Sequence, residues 1–307
     1  AAGRDAAVLS GPQAPAAAQQ GAHLLNAMLG STAVDLHPAE ALASAAEVEA
    51  ALGSGRYGAI LCWGANPAYA LDRPEAWKGA AAQVPFIAWI GVLPDETAAT
   101  AHLSFPENHW LESWNDFEAG SHLALQQPTI APLYGTRQGE DLLLGLLKGL
   151  GGTAPADYPA YLRARWSREV HPAGAPVPFE RYVQAALHDG VVPLARTAAA
   201  PAFQASSVAA AVRQAGAAAA GFELELFPGT QVHDGRHGNN GWLQECPDPV
   251  TKMTWSNVVS LSVADARRLG LKDGDIARVE AGGRSLQLPV DLLPGQADGV
   301  AAIALGY

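Results

Sequence analysis

Charge is scarce in this sequence, and positive charge most of all. Charged residues make up 16% of the 307 residues, below the roughly 25% of ordinary soluble domains. Nineteen Lys and Arg stand against 30 Asp and Glu, a formal net charge of −11. No Lys/Arg cluster occurs, which removes the electrostatic footprint of a nucleic-acid partner. Cysteine is limited to Cys62 and Cys246, with no C-x-x-C. Neither a zinc site nor an iron–sulfur cluster is therefore expected from this chain alone. A 62–246 bridge would need an oxidising compartment; one core thiol and one loop thiol is the simpler reading. No apolar run approaches the length of a membrane span, so a membrane role would need a partner subunit. The first residues lack the basic-then-apolar layout of a signal peptide. They begin almost inside a strand, as in a fragment or a mature portion. There is no G-x-S-x-G, no Walker A and no G-x-G-x-x-G after the first strand. Ser113, between Glu112 and Trp114, has no evident base.

What the chain does have is apolar bulk, 49% of residues, much of it alanine, and strand–helix alternation. The organising stretch is Ala59 to Pro67, AILCWGANP. Its uninterrupted apolar run predicts a strand buried on both faces of a parallel sheet. Gly64 permits close backbone approach and Pro67 can open a helix. The carboxyl ends of such strands are where open α/β sheets bind ligands. Further strands are predicted at 6–9, 33–36, 85–90 and 102–105. Helices are predicted at 14–29, 44–52, 74–82, 139–150, 158–169, 179–188 and 205–215, with a short one at 95–101. Ser44 and Glu47 form a capping box. Residues 106–134 read as a long irregular segment, of functional or interface type.

After Gly221 the pattern changes. Phe222 to Phe227 alternates as a half-exposed strand does. Strands at 259–261, 276–280, 284–290 and 301–305, with a helix at 263–269, predict a small β-barrel domain. Gly282-Gly283 marks a hairpin. The fold class expected is α/β, a doubly wound parallel sheet domain followed by a small β-barrel domain.

Candidate chemistry is thin. His233 and His237 are four apart, but Gly235 and Gly238 argue against the helix that would let them share a metal. His102, Glu107, His109, Glu112, Asn115 and Asp116 form an acid–histidine cluster open to acid–base work or to hydrogen-bonded packing. Trp110, Trp114, Phe117 and Tyr134 fall in the long segment. Trp242 and Trp255 flank CPDPVTKM. Tryptophan in irregular polar segments suits an interface or a ligand cleft, and equally the anchoring of loops to a core.

The ordered series G-x-N-P (Gly64, Asn66, Pro67), Asp95-Glu96-Thr97-Ala98 and F-P-x-x-H-W-x-E (Phe105 to Glu112) resembles the third domain of the molybdopterin-dinucleotide oxidoreductases. Residues 257–306 resemble their fourth domain, a double-psi barrel, through Ala266, Leu269, Gly270, Asp273, Gly274 and Asp275. HWLESWND, QPTIAPLYGTR, ALHDG and NNGWLQECPDPVTKMTWSN resemble one subfamily, the molybdopterin-oxidoreductase-like large subunit of alternative complex III. That complex is a bacterial quinol-oxidising respiratory assembly.

The resemblance implies an α/β domain over 1–150, a helical connection over 151–220 and a barrel over 221–307. It implies that Gly64, Asn66, Pro67, Glu96 and Thr97 stand where active members hold a nucleotide. His237, Asn239 and Asn240 would face the pterin. These are expected to be vestigial positions without catalytic residues or metal ligands. Glu118 to Gln126, EAGSHLALQ, replaces an arginine-bearing element. A pyrophosphate there would forgo charge-assisted hydrogen bonds of about 1.5–3 kcal/mol each. The implied role is a non-catalytic scaffold with no cofactor in this chain. Its partners would be an iron–sulfur domain, cytochrome c subunits carrying haem c, and integral membrane quinol-oxidising subunits. The implied location is the periplasmic face of the bacterial inner membrane. The alternatives are an active fragment binding molybdopterin guanine dinucleotide, and a standalone small-molecule binding module using the cleft beside Gly64.

Overall fold

Strand–helix alternation in the first half does produce a parallel sheet. A computed structural model of the chain describes residues 4–11, 14–34, 43–71, 73–119, 122–171, 174–194, 205–214 and 221–307. In chain order its elements begin with α1 (Ala16–Leu29), α2 (Ala45–Gly53), β1 (Ala59–Trp63), α3 (Pro67–Ala70), α4 (Pro74–Gln83), β2 (Phe86–Gly91) and β3 (Leu103–Pro106). Next come β4 (Asn115–Ala119), β5 (His122–Gln126), α5 (Gly139–Gly149), α6 (Tyr158–Arg165), α7 (Phe179–Asp189), β6 (Val191–Pro193) and α8 (Ala205–Gln214). The last are β7 (Glu223–Pro228), α9 (Gly241–Glu245), β8 (Val259–Leu261), α10 (Val263–Leu269), β9 (Ile276–Ala281), β10 (Arg284–Leu292) and β11 (Val300–Leu305). Two compact units result: Ala1–Val34 with Ala202–Tyr307, and Asp35–Pro201.

In the unit spanning Asp35–Pro201, β1, β2 and β3 lie side by side in that order, all parallel. The central strand β2 is the buried one. Among the described residues β1 lies at the edge of the sheet, and one of its faces is exposed, against the expectation of burial on both faces. Ile60 and Cys62 turn toward Trp77, Ile87 and Trp89 in the core. Leu61 and Trp63, on the other face, are 43% and 36% exposed. An apolar run states that a strand can be buried; only its place in the sheet decides whether it is. The capping box of α2 forms as expected, with Ser44 Oγ accepting from Glu47 N.

The segment 106–134 is irregular only in part, chiefly over 127–134. After a single turn at Trp110–Glu112, β4 and β5 pair antiparallel, and β6 adds to β5. The inner face of this sheet places Leu123 and Val192 against Leu162 and Trp166 near α6, and Val183 and Ala186 of α7. The hairpin escaped the sequence reading because NDFEA carries three polar residues in five and too little apolar alternation.

In the other unit, five strands run β7-β11-β8-β10-β9. β7–β11 and β8–β10 are parallel, while β11–β8 and β10–β9 are antiparallel. α10 follows β8 and is capped by Ser262. Val259, Leu261, Val290 and Ile303 centre the core. The hairpin turns at Gly282-Gly283 as expected, both at positive φ. The fold class is thus the expected one, a parallel α/β sheet domain and a small double-psi-type β domain. Residues 6–9 are extended but form no strand. Their partner is a side chain: Asn26 Oδ1 accepts from Val8 N and Asn26 Nδ2 donates to Val8 O, each at 2.8 Å. The strand expected over 33–36 lies partly outside the described residues, and Ala33 and Val34 form a bend. Among the described residues no helix is long and apolar enough to cross a membrane.

Candidate functional site

The carboxyl ends of β1 and β2 bring together five of the residues singled out above. Gly64 follows β1 at φ +59°, a left-handed conformation that favours glycine, and its N–H donates to Ile90 O. Pro67 opens α3 at its first turn. Asn66 then reaches across to the turn after β2. Its Nδ2 donates to Glu96 Oε2 at 2.7 Å. Its Oδ1 accepts from Thr97 Oγ1 at 2.8 Å and from Thr97 N at 3.3 Å. Thr97, fully buried, accepts in turn from Ala68 N at 3.0 Å. Asn66 and its own backbone hold the Glu96 carboxyl below the usual range. Glu96 is exposed, so the rim of this turn is anionic.

Beside this network lies a contact that sequence reasoning missed. Trp63 Nε1 donates to Glu107 Oε1 at 2.7 Å, joining the ends of β1 and β3. Gly139, at the start of α5, packs against both side chains. Burial pushes the Glu107 carboxyl up. The available signal was a tryptophan immediately after a strand and a glycine opening an apolar helix.

The acid–histidine cluster read from the sequence is dispersed. His102 Nδ1 accepts from Ile87 N at 3.0 Å. Glu112, buried, accepts from His109 N at 2.9 Å and Leu133 N at 2.8 Å. Asp116 accepts from Trp166 Nε1 at 2.7 Å and pairs with Arg165 at 2.5 Å. Each acid thus secures local packing, and no shared acid–base centre forms. The EAGSHLALQ stretch, read as an arginine-free loop, is largely β4–β5. An arginine does approach it: Arg165 of α6 lies 3.8 Å from Glu118, but its charge is committed to Asp116 and Glu169.

His237, Asn239 and Asn240 lie in the other unit, exposed, in the stretch 229–257. Asn240 Oδ1 caps α9 by accepting from Leu243 N. His233 and His237 lie in turns, as the glycines predicted, and His233 Nδ1 faces Asp234 Oδ1 at 3.3 Å. Arg236 grips Asp234 through two hydrogen bonds and holds its carboxyl far below the usual range. Among the described residues, three that are not glycine adopt positive φ: His233, Lys252 and Trp255. Such strain persists only where the surroundings over-determine it. Here backbone bonds hold each one: His233 exchanges hydrogen bonds with Gly229, Lys252 N donates to Asp248 O, and Trp255 N donates to Gln244 O; the Asp248 carboxylate further ties Thr230 Oγ1, Val250 N and Thr251 N. Trp242 is displayed at 87% exposure. A cavity of about 40 Å³ lies against Gln231, Asp248, Asn257, Ser260 and Tyr307, room for a few waters at most. Both cysteines are free, and burial with Asp95 pushes the Cys62 thiol up to about 11.

The donor set at the sheet end is poorly matched to a pyrophosphate. The Asn66 amide and the Thr97 hydroxyl are spent on each other and on Glu96. An anion there would meet the Glu96 carboxylate before any donor. Like charges at such range repel.

No protein-family model matches the chain. In sequence it is 36% identical over 98 residues to the menaquinone reductase, molybdopterin-binding-like subunit, of Nitratidesulfovibrio vulgaris (strain Hildenborough). That match covers 30% of this chain and 14% of the subunit. In structure it resembles acetylene hydratase from Pelobacter acetylenicus, with a TM-score of 0.63 and 16% identity. That likeness covers 87% of this chain and 40% of the hydratase, and at such identity it speaks for the fold alone. The chain therefore corresponds to well under half of either protein. Together the partial sequence match and the shared fold support the molybdopterin oxidoreductase superfamily and single out no particular complex within it.

Proposed function

We propose that this chain is a non-catalytic, molybdopterin-oxidoreductase-like part of a membrane-bound respiratory complex that exchanges electrons with quinol. The complex would be of the alternative complex III kind. The sequence match to a menaquinone reductase subunit supports the respiratory setting. The observation that carries the non-catalytic reading is the self-satisfied network of Asn66, Glu96 and Thr97. Where a dinucleotide's phosphate end needs free donors and positive charge, this chain offers a closed set of hydrogen bonds and a carboxylate held ionised. Turning the Thr97 hydroxyl to a phosphate would take from Asn66 Oδ1 its shorter hydrogen bond and set it against an anion, at about 1–3 kcal/mol. The geometry suits a fixed structural element better than a ligand site.

In this reading the parallel sheet and the barrel serve as rigid supports. Exposed aromatics, Trp110 and Tyr134 in one unit and Trp242 and Trp255 in the other, are the contacts offered to neighbours. Those neighbours would be an iron–sulfur domain, haem c-bearing cytochrome subunits and integral membrane subunits, on the periplasmic face. The test is elemental analysis of the native complex isolated through a tag on this chain, with its subunits identified by mass spectrometry. Molybdenum and tungsten well below one per complex, together with haem c and membrane subunits, is the expected result. One molybdenum or tungsten per complex, held by a dinucleotide recovered with this chain, would sink the scaffold reading.

A further inference from the structure

Residues 127–137 form a strap bound along the turn that follows β3. Thr129 N and Ile130 N both donate to Leu111 O, at 2.7 and 3.1 Å. Further on, Arg137 N donates to Pro106 O and Asn108 N to Arg137 O. Between these anchors the buried Glu112 carboxylate takes one bond from each side, from His109 N at 2.9 Å and from Leu133 N at 2.8 Å. Pro128 and Pro132 stiffen the strap further. Yet the side chains it shows to solvent are apolar. Trp110 is 63% exposed, Leu133 71% and Tyr134 80%, and Ile130 is exposed as well. Apolar side chains that project from a backbone bonded beneath them have lost part of their freedom in advance, an arrangement that favours binding. We propose that this strap is a lipid-docking edge: Trp110, Ile130, Leu133 and Tyr134 enter the headgroup layer of a bilayer, with Arg137 against its phosphates.

Charge and shape select lipid over a protein partner. The chain carries a net charge of −11, yet no Asp or Glu occurs between Glu118 and Glu140. The two carboxylates of the turn beneath the strap face inward, Glu112 to the bonds just named and Glu107 to the Trp63 indole. Arg137 is exposed, and so is His109, whose ring lies 5.3 Å from that of Trp110. An acidic protein thus turns to an anionic headgroup surface a face that does not repel it. Side chains that project to this extent form no concave surface. A protein partner would have to supply a fitted pocket for each, whereas headgroups and acyl chains yield around them. Trp and Tyr join an apolar ring to a polar tip, which suits the boundary between headgroups and acyl chains. In the membrane setting proposed above, lipid is then the neighbour of this aromatic set. Lipid docking rests on that setting only for the source of the bilayer.

Flotation of the full chain with vesicles of phosphatidylcholine containing about a quarter phosphatidylglycerol reads the contact directly. The native chain is expected to float with the vesicles. The combined variant Trp110→Ser, Leu133→Ser, Tyr134→Ser is expected to bind them at least about tenfold more weakly, with its melting temperature unchanged. Trp242→Ser, in the other unit, is expected to keep native binding although that ring is the more exposed. A native chain that does not float, or an equal loss in Trp242→Ser, overturns the proposal. Lipid brominated in its acyl chains is expected to quench tryptophan emission of the native chain, and to quench Trp110→Phe less, since that variant keeps an apolar ring in place. Undiminished quenching overturns the proposal as well. In the native complex, a photo-cross-linker at position 134 is expected to label phospholipid; labelling of another subunit, or of a second copy of this chain, would assign the strap to protein and overturn lipid docking. Molybdenum in that complex would sink the scaffold reading and leave every one of these readouts standing.

Discussion

At the ends of β1 and β2, Asn66, Glu96 and Thr97 spend their hydrogen bonds on one another, and Thr97 is fully buried. In the 229–257 stretch the same kinds of residue are displayed. His237 and Asn240 are exposed, and Asn240 is tied down only as a helix cap. The first region is held by side chain to side chain contacts between strand ends. The second is held by backbone turns, with three strained left-handed residues, and by the Asp248 carboxylate that ties Thr230, Val250 and Thr251. Polar residues in a turn thus serve two opposite ends. Which one holds depends on what lies opposite, a neighbouring strand end or solvent.

This contrast predicts a gradient of mutational cost. Trp77→Ala, in the core beneath β1 and β2, removes a buried ring whose Nε1 bonds Thr100 Oγ1 at 3.1 Å. A loss of about 3–5 kcal/mol by denaturant unfolding is expected. Trp242→Ala, in the displayed loop, should change stability by less than about 0.5 kcal/mol in the same measurement. Equal costs would break the comparison.

Thr97→Val is the sharper probe of the closed network. It keeps the shape but leaves Ala68 N without its acceptor and Asn66 Oδ1 with only the longer bond from residue 97 N. About 1–3 kcal/mol should be lost. Gly139→Ala tests the same sheet end from α5. The added methyl would enter the space held by Trp63 and Glu107, at about 1–3 kcal/mol, since a packed site resists overfilling. Both are read from unfolding midpoints at constant slope.

The smallest effect belongs to the displayed loop. Asp234 is held far below its usual range by Arg236, so its stabilising contribution is present above the ordinary carboxylate value and disappears as pH falls through the folded one. Both side chains are largely exposed, and solvent screens the pair to about 0.5 kcal/mol or less. Arg236→Ala should return Asp234 to the ordinary range, seen by NMR titration of its carboxyl, with almost no change in melting temperature.

Much of this was legible beforehand. The capping box at Ser44, the turn at Gly64 and the hairpin at Gly282-Gly283 each depend on a few neighbouring residues. Local backbone chemistry decides them wherever they sit. Gly64, Asn66 and Pro67 were read from the apolar run that precedes them, whereas Glu96 and Thr97 were joined to them only by the family resemblance. The β4–β5 hairpin was illegible because its strands are short and polar, and a pairing with β6 from far along the chain completes the sheet.

By itself the sequence determined the fold class, the period of its elements and the turn at Gly64 to Pro67 that closes β1, since these rest on local propensity and apolar spacing. Tertiary structure alone decided that β1 leaves one face exposed while the equally apolar β2 is buried between β1 and β3, that Glu107 meets Trp63 across 44 positions of chain, and that Asn66 is consumed by Glu96 and Thr97. Each is a matter of which distant groups become neighbours. Burial, hydrogen-bond satisfaction and the cost of a charge are properties of neighbours, and a single residue's identity does not carry them.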